Sequence, residues 1–180
     1  MTYRRTLFEH ALDNHGLITT ADADRLGVPT VELSKLVRRG ALEHVSYGVY
    51  RHVDVLKTPL AEFAEAVARV GRGAYLVQDA VLALHGLAQV NPRSLRVATR
   101  KRVRRDLPPW IELVSGADDD DVTEFEGIAA TTVATALKGC VGIVPRDQLH
   151  DALEEGRRRG LVRRRDVRIL ADVLDGKVPA

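Results

Sequence analysis

"TTADADRLGVPTVELSKLVRRGALEHVSYGVYR", Thr19–Arg51, decides the fold of this chain. Thr19 predicts a helix cap, with Asp22 in the first turn, where a carboxylate suits the positive end of the helix dipole. Ala23 and Leu26 fall on one face of that helix. Gly27 predicts a turn with positive φ, and Val28 points back toward a core. Pro29 or Thr30 opens a further helix, whose buried stripe is Leu33, Leu36 and Val37, and Gly40 stops it. Counting Thr19 as position one, Ala stands at five, Gly at nine, and apolar residues at eight, ten, fifteen and eighteen (Leu26, Val28, Leu33, Leu36). Each position has a reason. A small side chain lets two helices approach, a glycine makes the turn, and the apolar set pins the crossing. This is the spacing of a helix-turn-helix.

The pattern extends both ways. Upstream, Leu7, Phe8, Ala11, Leu12 and His15 share a helical face, and Gly16 predicts the helix end. Downstream, Leu42, Val45, Val49 and Tyr50 have strand propensity on either side of Gly48, which predicts a hairpin. A hairpin directly after the third helix makes residues 1–55 a winged helix-turn-helix. In such a unit the N-terminal half of the third helix meets base edges in the major groove. Its expected outer face is Thr30, Glu32, Ser34, Lys35, Arg38 and Arg39. Thr30, Ser34 and Lys35 are therefore expected at bases, and Arg38, Arg39, Tyr47 and Arg51 at phosphates. The competing view is that Lys35, Arg38 and Arg39 only answer the negative end of the helix dipole. Residues 1–55 hold equal numbers of acidic and basic side chains, so placement rather than bulk charge would give specificity.

Residues 58–180 read as a second, α+β domain, which makes the whole chain α+β. Leu60, Phe63, Ala64, Val67 and Val70 predict an amphipathic helix. "AYLV", "SLRVAT", "WIELVS" and part of 122–129 predict strands. "QDAVLALHGL", "TTVATALKG", "PRDQLHDALEEGRRR" and "DVRILADVLDG" predict helices. No phosphate-binding loop, nucleophile elbow or nuclease-type carboxylate–lysine set stands at a usable spacing, so the reading is a non-enzyme without cofactor or metal. Four consecutive carboxylates, Asp118 to Asp121, cannot all face one ion and read as a solvated loop. His85 on an apolar helix and the lone Cys140 read as packed core residues. Two basic runs remain. Arg100, Lys101, Arg102, Arg104 and Arg105 form one; Arg157, Arg158, Arg159, Arg163, Arg164 and Arg165 form the other. Each is either a solvated surface or an additional contact for duplex phosphate or an acidic partner.

Composition bounds the rest. Among 180 residues, 45% are apolar, the formal net charge is +2, and a single cysteine excludes an internal disulfide. There is no apolar leader or membrane-length apolar run, so the expectation is a cytoplasmic protein with no membrane partner.

Leu26-Gly27-Val28, the stretch Leu36 through Leu42 and Gly48 through Arg51 resemble the recurrent signature of AbiEi-type antitoxins of bacterial toxin–antitoxin systems. "LALHGL" (Leu82 to Leu87) and "TTVATAL" (Thr131 to Leu137) resemble segments of the domain that follows in that family. The resemblance implies a transcriptional autorepressor that binds double-stranded operator DNA of its own operon. It also implies a cognate nucleotidyltransferase-like toxin, which residues 58–180 would counteract. The rival reading is a protein-interaction module built on the same scaffold without DNA binding.

Overall fold

The computed structural model describes residues 2–116 and 121–179. It begins with α1 (Tyr3–Leu12), which buries Leu7 and Ala11. This helix ends four residues before Gly16, earlier than its apolar face predicts. Asn14 and Gly16 both return their N–H groups to the Ala11 carbonyl, and His15 and Gly16 take positive φ (54° and 81°). Leu12 consequently faces solvent. Past that turn lies β1 (Leu17–Thr19), a short strand absent from the sequence reading, and then α2 (Thr20–Arg25) and α3 (Thr30–Arg38). The hairpin follows as β2 (Leu42–Ser46) and β3 (Val49–His52). It is not a free ribbon. β3 lies between β1 and β2, antiparallel to both, with Leu17 opposite Arg51 and Leu42 opposite His52. A register shift between His44 and Ser46 bends the outer strand near its turn.

The core of this unit is the stripe foreseen from spacing. Leu7, Ile18, Ala23, Val28, Leu33, Leu36, Leu42 and Tyr50 are buried together, with Leu26, Val37 and Val55 packed around them. The unit then takes in α4 (Ala61–Val70) and closes at Gly71. The boundary expected between residues 55 and 58 therefore lies some way further on. α4 packs on β1, and its Glu65 accepts a 2.6 Å hydrogen bond from the Arg51 guanidinium, so the winged module is incomplete without it.

A second unit begins at Arg72. Its elements are β4 (Tyr75–Leu76), α5 (Asp79–Leu84), β5 (Leu95–Thr99), β6 (Ile111–Ser115), β7 (Val122–Phe125), β8 (Ile128–Thr131), α6 (Val133–Gly139), α7 (Arg146–Arg158), a 3-10 turn over Arg164–Asp166, and α8 (Val167–Leu174). The strands form one mixed sheet in the order β6-β5-β4-β8-β7. Leu76 stands opposite both Val97 and Ala130, and all three are fully buried. The alternate residues Tyr75, Val77 and Ala98 form a second apolar cluster, with Val114 and Ala129 against it. Residues 122–131 supply two strands rather than one, because Glu126 and Gly127 turn with φ of 49° and 77°. Thr132 caps α6 through its hydroxyl, at 3.3 Å from the Thr135 N–H.

His85 and Cys140 are packed. The His85 ring lies 4.3 Å from that of Phe125, and burial, then the Arg159 charge, pushes its imidazole below the ordinary value. Burial pushes the Cys140 thiol up to about 12. Asp118 to Asp120 of the acidic run lie outside the described residues. The fold is α+β, a winged helix-turn-helix followed by a mixed α+β domain.

Candidate nucleic-acid interface

The geometry of the winged unit is set by a few short bonds. Thr19 and Asp22 form a reciprocal cap: the Asp22 N–H donates to the Thr19 hydroxyl (3.1 Å), and the Thr19 N–H donates to the Asp22 carboxylate (2.8 Å). Arg25 donates to the other carboxylate oxygen at 2.7 Å, and His10 Nε2 stands 3.5 Å away, at ion-pair rather than hydrogen-bond range. Burial alone would raise the Asp22 carboxyl; the facing His10 and the Thr19 hydroxyl and N–H outweigh it and hold it well below the usual range. The cap fixes the start of α2 to the end of β1, and the His10 approach brings the same carboxylate to α1. Gly27, at φ 69°, turns the chain into α3 without a Cβ in the left-handed region. The wing is tied to the same frame, since the Thr20 N–H donates to the Gly48 carbonyl at 2.9 Å.

Leu33 and Leu36 bury the inner side of α3, which turns Thr30, Val31 and Ser34 to solvent on its N-terminal half. Lys35 is less open than its position suggests. Its ammonium donates to Glu32 at 2.6 Å and its side chain is 43% exposed. An exposed pair of this kind contributes little and exchanges readily for a phosphate or a base edge. Arg38 and Arg39 are exposed at the other end of the helix, and Tyr47 at the wing turn is 79% exposed. Thr30, Ser34, Arg38, Arg39 and Tyr47 thus all lie on the open surface of this unit.

Arg51 does not join them. It is 6% exposed, in the middle strand of the small sheet, and bound to Glu65, which also holds Arg69 at 2.7 Å. The expectation that it contacts phosphate is therefore replaced by a structural role. Residue-by-residue alternation along a hairpin would have left it outside, but β1 and α4 cover that face. Conversely, Val31 was missed. It is an apolar side chain 56% exposed on the open side of α3. The signal was its place on the side of α3 opposite the Leu33, Leu36, Val37 stripe, where a polar residue would be ordinary.

The basic runs belong to the second unit. Arg100, Lys101, Arg102, Arg104 and Arg105 are exposed in the β5–β6 connection. Of the other run, Arg157 is paired with Glu154, and Arg165 stands 3.6 Å from Asp166. Arg159 donates to the His85 carbonyl at 2.6 Å and faces Glu155 at 3.5 Å, which fastens the end of α7 to the end of α5. Arg158, Arg163 and Arg164 are exposed. Among the described residues no group of three or more His, Cys, Asp or Glu side chains is placed to hold a metal ion, and no helix is long and apolar enough to cross a membrane.

No curated protein matches the chain. Residues 5–52, from α1 to the last residue of β3, match the family of AbiEi antitoxin transcriptional regulators, which bears out over that span the resemblance carried by Leu26-Gly27-Val28, Leu36 to Leu42 and Gly48 to Arg51.

Proposed function

We propose that this protein is a cytoplasmic antitoxin that binds double-stranded operator DNA of its own operon through α3 and the wing, and so represses that operon. The observation that carries the reading is the open N-terminal half of α3, held by a capped helix in front and by a wing anchored at Thr20. Thr30, Val31, Ser34 and Lys35 would meet base edges, and Arg38, Arg39 and Tyr47 the phosphates on either side. The second unit would counteract a nucleotidyltransferase-like toxin, and its arginine runs would add phosphate contacts or meet that partner.

The test is binding of the full chain to the promoter of its operon against scrambled duplex of equal length. The promoter should be preferred, and affinity should fall with salt by about 0.9 logarithmic unit per phosphate contact. Replacing Arg38 and Arg39 together by Ala should weaken both duplexes alike and lower the salt slope by about two. Equal affinity for the two duplexes would remove the operator from the reading. A chain ending at Gly71 should keep promoter binding and lose protection against the toxin; protection by that fragment would overturn the division of labour.

A further inference from the structure

We infer that Glu32 and Lys35 act as one unit that reads a single G·C base pair, so that Glu32 as well as Lys35 sets the sequence preference of α3. The inference rests on the proposed operator binding and adds to it a residue and a base pair.

The local sequence makes this pair. Glu32 stands three residues after Pro29, the position from which a carboxylate ordinarily reaches back to the N–H of the residue that caps a helix. Pro29 occupies the cap and has no N–H to offer. That reciprocal bond is closed to Glu32, and its carboxylate instead accepts from the Lys35 ammonium at 2.6 Å. Leu33 and Leu36 bury the inner side of the helix. The Lys35 and Glu32 side chains are 43% and 22% exposed, so Lys35 lies on the open side and Glu32 on its flank.

As a surface ion pair this adds little stability, and an acidic side chain does nothing for attraction to phosphate. What the pair offers is a pattern. Lys35 has three N–H donors and spends one on Glu32, which leaves two; the carboxylate is an acceptor only. Donor, donor and acceptor therefore stand side by side. In the major groove a G·C pair shows guanine N7 and O6, both acceptors, and then the cytosine N4 amino donor. Guanine O6 and cytosine N4 share a hydrogen bond of their own, which sets them about 2.9 Å apart, close to the separation of the ammonium and the carboxylate. The free donors of Lys35 fall on N7 and O6, and Glu32 accepts from N4. An A·T pair puts a donor, adenine N6, and an acceptor, thymine O4, at the last two places. Both are opposite in sense to what Lys35 and Glu32 present, so the unit rejects that pair. Its own charges cancel, and it discriminates without adding bulk attraction.

The test is fluorescence anisotropy of the full chain with the promoter duplex, a scrambled duplex, and promoter duplexes in which each G·C pair in turn becomes A·T. For the wild type, the change at one such position should weaken binding about tenfold or more. Glu32→Ala and Lys35→Ala should each flatten the loss at that same position, and the double variant should flatten it no further than the stronger single one. Neither side chain belongs to the apolar core, so thermal unfolding should be nearly unchanged. Glu32→Ala should also bind the scrambled duplex more tightly, because a negative charge is gone, while it binds the promoter less tightly. A carboxylate that only decorates the helix would shift both duplexes in the same direction. If the wild type prefers the promoter but both variants keep full discrimination at every G·C position, or Glu32→Ala tightens both duplexes alike, the inference is overturned and operator binding stands. A wild type without preference for the promoter would overturn the operator reading, and this inference with it.

Discussion

Val31 shows how one side chain can carry information that a list of charges omits. It stands on the open half of α3 between Thr30 and Ser34, where its methyl groups would meet the C5-methyl of a thymine. Replacing that thymine by uracil in the operator should weaken wild-type binding by about 0.8 kcal/mol, the worth of one buried methyl group. Val31→Ala should bind the two duplexes nearly equally, as read by fluorescence anisotropy. An undiminished preference in the variant would remove Val31 from the base-reading set. Asp22 supports a prediction of another kind. Its carboxyl is held low in the folded chain against an ordinary value of 3.8. Its stabilising contribution is therefore whole above that value and is lost as the pH falls from there toward the lower folded value. The winged unit should lose stability on acidification through this window, and Asp22→Asn should flatten the loss while lowering stability at pH 7. Parallel acid-unfolding curves for wild type and variant would contradict it.

Among elements, the winged helix-turn-helix was legible because its constraints are local and repeated. Ala23, Gly27, Leu33 and Leu36 each have one role that few other residues fill, and all four take it. β1 and the role of α4 were not legible. Leu17–Thr19 is too short to show an alternation, and nothing near Arg51 in sequence announces that its partner is Glu65. A buried ion pair between distant elements leaves no periodicity. Its energetic trace is nevertheless large, since removing one member strands a buried charge. Glu65→Ala should cost about 3 kcal/mol or more in urea unfolding of the winged unit, although it lies outside every expected contact with DNA. A fragment ending at residue 55 should for the same reason be less stable than one ending at Gly71. A Glu65→Ala variant as stable as wild type would show that the pair does not hold α4 in place. For the candidate interface, exposure on α3 followed from its stripe, so Thr30, Ser34, Arg38 and Arg39 stand where spacing put them. Lys35 and Arg51 differ because each found a carboxylate.

For the molecule as a whole, the single cysteine becomes a reporter on the second unit. Cys140 is fully buried at the end of α6 with its thiol pushed up to about 12. At pH 8 a thiol reagent should modify it only through opening of that unit, so labelling rates should track denaturant and leave the winged unit silent. Rapid labelling of the native chain would contradict the packing around α6. Its two compact units, Met1–Gly71 and Arg72–Ala180, each have a sheet and an apolar core of their own. Losing the second is accordingly expected to leave the first folded.

The bond from Thr20 to Gly48, with β3 held on both edges, has a thermodynamic corollary. On the proposed function, a flap already seated against its rod would have little disorder left to surrender to a duplex. Association by this unit should then show a modest heat-capacity change and a rate governed by ionic strength, the mark of a preformed surface rather than of one that folds around its target.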